Sequence, residues 1–278
     1  MSGTSSVEEW SGKGRTDENF PVGSFLIRPD LRAHVHAFYS FARNADDIAD
    51  SPTLTPEDKI ARLDVMQEVL LGQRAVGSPS ARTLRASLDA TGVTPRHSTD
   101  LLVAFRQDAT KRRYASWDEL FDYCRTSAMP VGRHVLDLHG ESADTHAPSD
   151  ALCASLQVLN HLQDCAGDLS ELDRSYLPAD LLDLFGAGVE DVRAAAATPG
   201  LRHVIDALLD RVDRLNQEAA DLPRCTRDRR LRLETATIVG LARRLSRRLR
   251  QRDPVAGRVK LKKIDAVMSL LAALRFFR

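Results

Sequence analysis

Apolar residues return at intervals of three and four along almost the whole chain, and alternation at two is scarce. Only helices that each bury one stripe satisfy that pattern, so the chain reads as all-α and no strand is predicted. The helices expected run over residues 30–51, 56–72, 79–91, 96–110, 116–141, 149–170, 200–221, 226–251 and 260–276. Their breaks carry their own chemistry. In "SPTLTPED", Thr55 offers a side-chain oxygen to the first turn, and Pro56 takes the first helical position, where an N–H would have no partner anyway. Pro95, Pro148, Pro178 and Pro199 sit in comparable gaps. "GSPSART", "SADTHAPSD" and "ATPG" are turn clusters too short to link separate domains. A chain of 278 residues, 43% hydrophobic, can fill one large core. One helical domain over residues 18–278 is therefore expected, after a polar lead over 1–17 that should be disordered.

Net charge is zero, from 39 basic and 39 acidic side chains, so bulk charge gives no case for nucleic acid. Its distribution is uneven: residues 224–263 hold fifteen Lys or Arg against three Asp or Glu. The run "RRLSRRLRQR" suits a solvated helix face, an anionic-lipid contact or a nucleic-acid patch, and the last lacks interleaved aromatics. Cys124, Cys153, Cys165 and Cys225 form no CxxC, which leaves neither a zinc site nor a disulfide framework and suits a reducing cytoplasm. The N-terminus lacks the basic start and apolar core of a signal peptide. "IDAVMSLLAALRFF" is apolar but carries Asp265 and Arg275, and falls short of the roughly twenty residues that span a bilayer. It reads as a terminal core helix, and the protein as cytoplasmic, with peripheral contact at the inner membrane face through the basic run.

Two acidic clusters stand out, "DDIAD" at 46–50 and "QDCAGD" at 163–168. Asp46 and Asp50 are four apart, as are Asp164 and Asp168, so each pair shares one helix face. Like charges so placed disfavour a helix by a few tenths of a kcal/mol. A hard divalent cation would compensate, because Mg²⁺ takes carboxylate oxygens and keeps phosphate or water oxygens as its other ligands. Each pair follows an apolar stretch, "HVHAFYSFAR" or "SLQVLNHLQD", and charge so near a core is costly without partners. The arrangement suggested is an apolar cavity with carboxylates at its mouth, suited to a diphosphate head on a hydrocarbon tail.

The stretches "ENFPVGSFLI", "YSFARNADDIAD", "YCRTSAMPVGRHVLDLHG", "LQVLNHLQDCAGD" and "RSYLP" resemble the squalene and phytoene synthase family, over roughly residues 18–275. Within it, "ENFPV", "FARNADDIAD" and "SAMPVGR" are most similar to a bacterial branch of hopanoid biosynthesis. The resemblance implies an isoprenoid synthase fold, helices around a central apolar cavity, with Mg²⁺ between a diphosphate and the two acidic motifs. Asp46, Asp50, Asp164 and Asp168 match metal positions with Asp47 alongside, and the first four with Tyr39 form the implied catalytic set. Tyr39 and Arg43 match substrate contacts, Gln157 and Asn160 polar cavity positions, and Arg174 and Tyr176 the flap after the second motif. Phe20 matches an aromatic at the cavity wall. Gln163 stands at a substrate position where several relatives have Arg, and "DRSYLP" replaces the commoner "GRxYLP", leaving Asp173 where glycine is frequent.

The reaction implied is departure of diphosphate from presqualene diphosphate and capture of the cation by water, giving hydroxysqualene without NADPH. The near match to a dinucleotide loop, "GAGVED", lacks the third glycine and a preceding strand. The alternative within the family is condensation of two prenyl diphosphates, such as farnesyl diphosphate, to presqualene diphosphate or a phytoene-type product. Outside it stands a helical adaptor for lipid surfaces or nucleic acid. Several residues have plainer readings. Arg43 is placed to pair with Asp46 or Asp47, Tyr39 and Phe38 to fill core, and Tyr114 to anchor a helix start. Arg133 either approaches phosphate or merely follows a glycine needed for helix packing. The eight histidines show no metal-ligand spacing and read as structural.

Overall fold

Thr55 caps the second helix as its sequence predicts, its side-chain oxygen accepting the Asp58 N–H at 3.2 Å with Pro56 in the first turn. The computed structural model describes residues 6–8 and 26–276, and twelve α-helices account for most of them. They are α1 (Arg32–Asp50), α2 (Pro56–Leu70), α3 (Pro79–Thr91), α4 (Arg96–Thr110), α5 (Trp117–Ser127) and α6 (Met129–Leu138), then α7 (His146–Leu172), α8 (Ala179–Leu184), α9 (Pro199–Glu218), α10 (Leu222–Cys225), α11 (Arg229–Gln251) and α12 (Lys263–Ala273). Among the described residues there is no strand, only an isolated bridge between Tyr114 and Pro178. No described helix is long and apolar enough to cross a membrane. The α7 helix is the axis of one half, packed on α5, α6, α9 and α11, while α1 packs on α2, α3 and α4. Phe41, Ile48, Leu63, Met66, Leu101, Leu159 and Leu162 fill the interior between these helices.

Several expectations need correction. The helix expected over 116–141 is two, α5 and α6, broken at Ala128, where φ is −125° and ψ −47°. Pro130 explains the break: it has no N–H for the Thr126 carbonyl and suits only the first turn of a new helix. Residues 6–8, within the stretch expected to be disordered, dock on the α2–α3 turn. The Val7 N–H donates to the Gly77 carbonyl, and the Glu8 carboxylate accepts from the Ser78 hydroxyl and the Ser80 N–H.

The terminal helix is not a core helix. Along α12 the buried residues are Asp265, Ser269 and Ala273, while Ile264, Val267, Met268 and Leu271 are exposed. Close approach to α11 sets this orientation, because a Cβ on Gly240 would lie 3.0 Å from the Ser269 Cβ. The basic run is not a plain solvated face either. Arg248 pairs with Asp265 at 2.7 Å, and Arg250 reaches Asp210 at 2.7 Å and Asp213 at 2.8 Å, so α11 is riveted to α12 and α9.

Candidate active site

The last turns of α1 gather Asp46, Asp47 and Asp50 where the helix dipole is already negative. Val35, Phe38, Phe41, Ala45 and Ile48 turn into the core, which leaves Tyr39, Arg43, Asp46 and Asp50 on the neighbouring stripe. Arg43 offsets part of the charge, with Nη2 at 2.7 Å from Asp47 Oδ1 and Nη1 at 3.1 Å from Asp46 Oδ2. The Asp47 side chain is 2% exposed against 37% for Asp46, so Asp47 is committed inward to Arg43 while Asp46 stays open. Burial, then the charge of Asp50, raises the pKa of Asp46.

On α7, Asn160, Asp164 and Asp168 follow one another at intervals of four on one face. Arg258, from the loop between α11 and α12, grips Asp164 through Nε at 2.6 Å and Nη2 at 2.9 Å. Gln163 is buried and donates to the Val259 carbonyl of that same loop. The expected substrate contact of Gln163 is thus corrected to a tether. The guanidinium beside the second motif comes instead from Arg258, 94 residues further along the chain. Burial, reinforced by Asp164, pushes the Asp168 pKa up to about 7, with Arg174 opposing and Asp50 adding to the rise.

Arg174 joins the two helix ends. Its Nη1 donates to Asp50 Oδ1 at 3.0 Å and to the Tyr176 hydroxyl at 3.2 Å, and its Nη2 to the Asp108 carbonyl at 2.9 Å. Asp108, which sequence reasoning missed, is buried on α4 and accepts from the Tyr123 hydroxyl at 2.7 Å and the Tyr176 hydroxyl at 3.4 Å. Burial pushes its pKa up to about 6. Its signal was present: Asp108 follows Leu101 and Ala104 on the buried stripe of α4, a carboxylate where periodicity calls for an apolar residue. Tyr176 stacks on His161 at 3.4 Å, and His161 meets Gln157 at 3.2 Å, so Gln157 and Tyr176 are turned into this cluster. Tyr114 is the anchor expected, buried beside Tyr176 with Gln107 donating to its hydroxyl.

The segment after α7 is pinned to the chain at 112–115, with the Ser175 N–H on the Arg112 carbonyl at 2.9 Å and the Ala179 N–H on the Tyr114 carbonyl at 2.9 Å. At its hinge Asp173 has φ 49° and ψ 35°, the left-handed conformation that favours glycine. Arg113 holds it there, with Nη2 2.8 Å from Asp173 Oδ1. Asp173→Gly is therefore expected to keep or raise stability by up to about 1 kcal/mol, and Asp173→Val to lower it by about 1–2 kcal/mol, in urea unfolding.

Between α1 and α7 lies a cavity of about 350 Å³, lined by Phe38, Tyr39, Ala42, Val135, Leu156 and Asn160, with Glu234, Thr235 and Ile238 of α11 opposite. Tyr39 and Asn160 belong to the stripes that carry Arg43, Asp46 and Asp164 one or two turns further on, so the cavity walls lead along α1 and α7 toward the acidic ends. Gly132 permits this wall, since a Cβ there would come within 2.3 Å of Ser149 Oγ. Arg133 pairs with Asp150 at 2.5 Å, which makes it a brace between α6 and α7 rather than a phosphate contact. Phe38 stacks on His134 at 3.9 Å, and burial pushes that imidazole down to about 3. Phe20 lies outside the described residues. Among the described residues, no three His, Cys, Asp or Glu side chains gather tightly enough to hold an ion alone. The donors at hand, the carboxylate oxygens of the two pairs, with Asp50 near enough to act on Asp168, are of the kind that suits a hard divalent cation sharing its shell with phosphate oxygens.

The model of the family described as squalene/phytoene synthase matches residues 13–265. A hydroxysqualene synthase of Rhodopseudomonas palustris is 48% identical over 271 residues, 98% of this chain and 92% of that protein. One of Sinorhizobium fredii is 45% identical, covering 93% of this chain and 88% of the other. Among solved structures, a squalene synthase of Alicyclobacillus acidocaldarius is 33% identical and superposes with a TM-score of 0.75, over 85% of this chain and 90% of that one. A dehydrosqualene synthase solved with a ligand shares the fold, with a TM-score of 0.81 at 20% identity over 94% of this chain and 92% of the other.

Proposed function

Because this chain belongs to the squalene/phytoene synthase family, we propose that it converts presqualene diphosphate and water to hydroxysqualene and diphosphate. It is an enzyme of isoprenoid biosynthesis. The observation that carries the reading is the bridge from Arg174, just past α7, to Asp50 at the end of α1, with an apolar cavity lined by the same two helices. The carbon–oxygen bond to diphosphate breaks, the cation rearranges in the cavity, and water supplies the new hydroxyl while its proton passes to the departed diphosphate. Asp46, Asp50, Asp164 and Asp168 would hold Mg²⁺, which neutralises charge on the leaving diphosphate. Arg43 keeps Asp47 paired and Asp46 oriented. Phe38 and Tyr39 offer aromatic faces to the cation, and the neutral His134 behind Phe38 adds no repelling charge. Water closes the sequence, so no hydride donor is required. Contact with an anionic membrane surface near the C-terminus completes the reading.

Presqualene diphosphate in ¹⁸O-labelled water, with Mg²⁺ and without NADPH, is expected to yield hydroxysqualene carrying the label by mass spectrometry. Squalene formed only with NADPH, or turnover of farnesyl diphosphate alone to presqualene diphosphate, overturns the reading in favour of the neighbouring chemistries.

Metal linkage gives a test independent of turnover. The raised pKa values of Asp46 and Asp168 mean that the folded, metal-free protein holds protons that the unfolded chain releases above about 3.8. Their contribution to stability is full below that pH and is lost as pH rises through about 7 at Asp168. Without metal, the melting temperature should therefore fall more steeply from pH 6 to pH 8.5 than in Asp168→Asn, and millimolar Mg²⁺ with inorganic diphosphate should remove most of the difference. Calorimetry at several pH values reads it directly, and identical slopes in both proteins count against a carboxylate metal site.

A further inference from the structure

The α12 helix presents its side chains the wrong way round for a helix at an aqueous surface. Ile264, Val267, Met268 and Leu271 stand at i, i+3, i+4 and i+7, one continuous stripe, and are 57%, 51%, 45% and 57% exposed. Leu274, 46% exposed, extends it by another turn. Single exposed aliphatic residues are ordinary on protein surfaces, but an aligned row is a mark of contact with something else. The face that packs on α11 is made of Asp265, Ser269 and Ala273 with Leu270 at its edge, so the interior takes up only one of the helix's larger aliphatic side chains.

Charge beside the stripe identifies the partner. Lys260, Lys262 and Lys263 are exposed where α12 begins, and their ammonium groups make no ion pair among the described residues. Lys262 is the N-cap and Lys263 the first residue of the helix, positions where the macrodipole favours acids. These lysines therefore oppose the preference of their own helix, and their charge adds to its positive end. Arg275 brings a further exposed cation to the other end of the stripe. Two copies meeting stripe to stripe would bring cation against cation in either orientation, lysines on lysines if parallel and lysines on Arg275 if antiparallel. An anionic, apolar surface is the complementary partner. At 11 residues α12 is about half the length that crosses a bilayer, so it would lie in the interface.

We propose that α12 docks the protein on the surface of an anionic lipid membrane, its apolar stripe at the headgroup–acyl boundary and Lys260, Lys262 and Lys263 on anionic headgroups. The contact expected earlier of the basic run thereby moves to these lysines, since Arg244 and Arg248 of that run pair with α12 and Arg250 with α9. The surface stands on its own geometry and rests on the isoprenoid reading only for its use, delivery of a hydrocarbon-like product into lipid.

Flotation of the full chain with vesicles, in the absence of any substrate, tests it separately from the reaction. Vesicles of phosphatidylcholine with phosphatidylglycerol are expected to bind on the order of a hundredfold more tightly than phosphatidylcholine alone, an advantage that about 0.5 M salt abolishes. Val267→Glu with Leu271→Glu should abolish vesicle binding while melting temperature and turnover of detergent-dispersed substrate are retained. Lys262→Glu with Lys263→Glu should erase the preference for the anionic vesicles. The proposal is overturned by equal binding to both vesicle types, or by binding that survives the Val267→Glu and Leu271→Glu changes. It is equally overturned if those changes split a dimer in sedimentation without touching vesicle binding, which would give the stripe to a second copy.

Discussion

Asp46→Asn is expected to slow diphosphate release by about 10³-fold, the scale on which removing one electrostatic contributor at a reacting centre acts. The same change is expected to raise thermal stability of the metal-free protein near pH 8. The two outcomes have one cause. Asp46 sits at the negative end of α1, four residues from Asp50, and burial with that neighbouring charge makes its ionised form unfavourable. Asparagine keeps the shape and removes the charge. Arg43 is not orphaned, since Asp47 still holds it at 2.7 Å. The gain is kept small by solvent, because the Asp46 side chain is 37% exposed. A merely structural role for the Arg43–Asp46 pair makes the opposite forecast, stability lost and turnover kept. Diphosphate release and calorimetry with a chelator, on one preparation, separate the two. Asp164→Asn should repeat the loss of turnover, and the double variant should add little to either single one, as expected of groups that act on one leaving group.

The helices that matter most for the site were legible because their signals are local. α1 and α7 are long, their apolar residues recur with helical period, and their carboxylates stand out against that pattern. Other features depend on what lies across space. The apolar residues of α12 have the spacing of a core helix, and spacing alone does not say that Gly240 and Ser269 bring its opposite face inward. The break at Ala128 was hidden because hydrophobic periodicity runs straight through Pro130. α8, with six residues, is under two turns and offers no period to detect. Arg258 could not be paired with Asp164 from sequence, since the loop that carries it is placed by the α11 connection and the tether from Gln163. Asp173 shows the converse. Its departure from the glycine frequent in relatives was visible, and the reason it is tolerated, the grip of Arg113, was not.

Asp108→Ala is expected to destabilise the protein by about 3–5 kcal/mol, the cost of breaking a buried charged pair from one side. For a chain of this size that lowers the melting temperature by roughly 10 °C. Burial pushes Asp108 up to about 6, so it is ionised at pH 7.5 and supplies counter-charge to Arg174. Without it, the Tyr123 hydroxyl loses its acceptor and Arg174 keeps only Asp50 as an ionic partner in this cluster. Turnover should fall as well, because Asp108 and Arg174 together place Tyr176 and hold one carboxylate of the first acidic pair. Asp108→Asn, which leaves an oxygen for Tyr123, should lose about half as much stability. The decisive variant is Asp108→Ala combined with Arg174→Met. Removing both charges leaves no orphaned ion in the interior, so much of the stability should return while turnover stays low, since Asp50 and Tyr176 have lost the group that positions them. If Asp108→Ala unfolds at the wild-type temperature with wild-type turnover, the cluster has neither role.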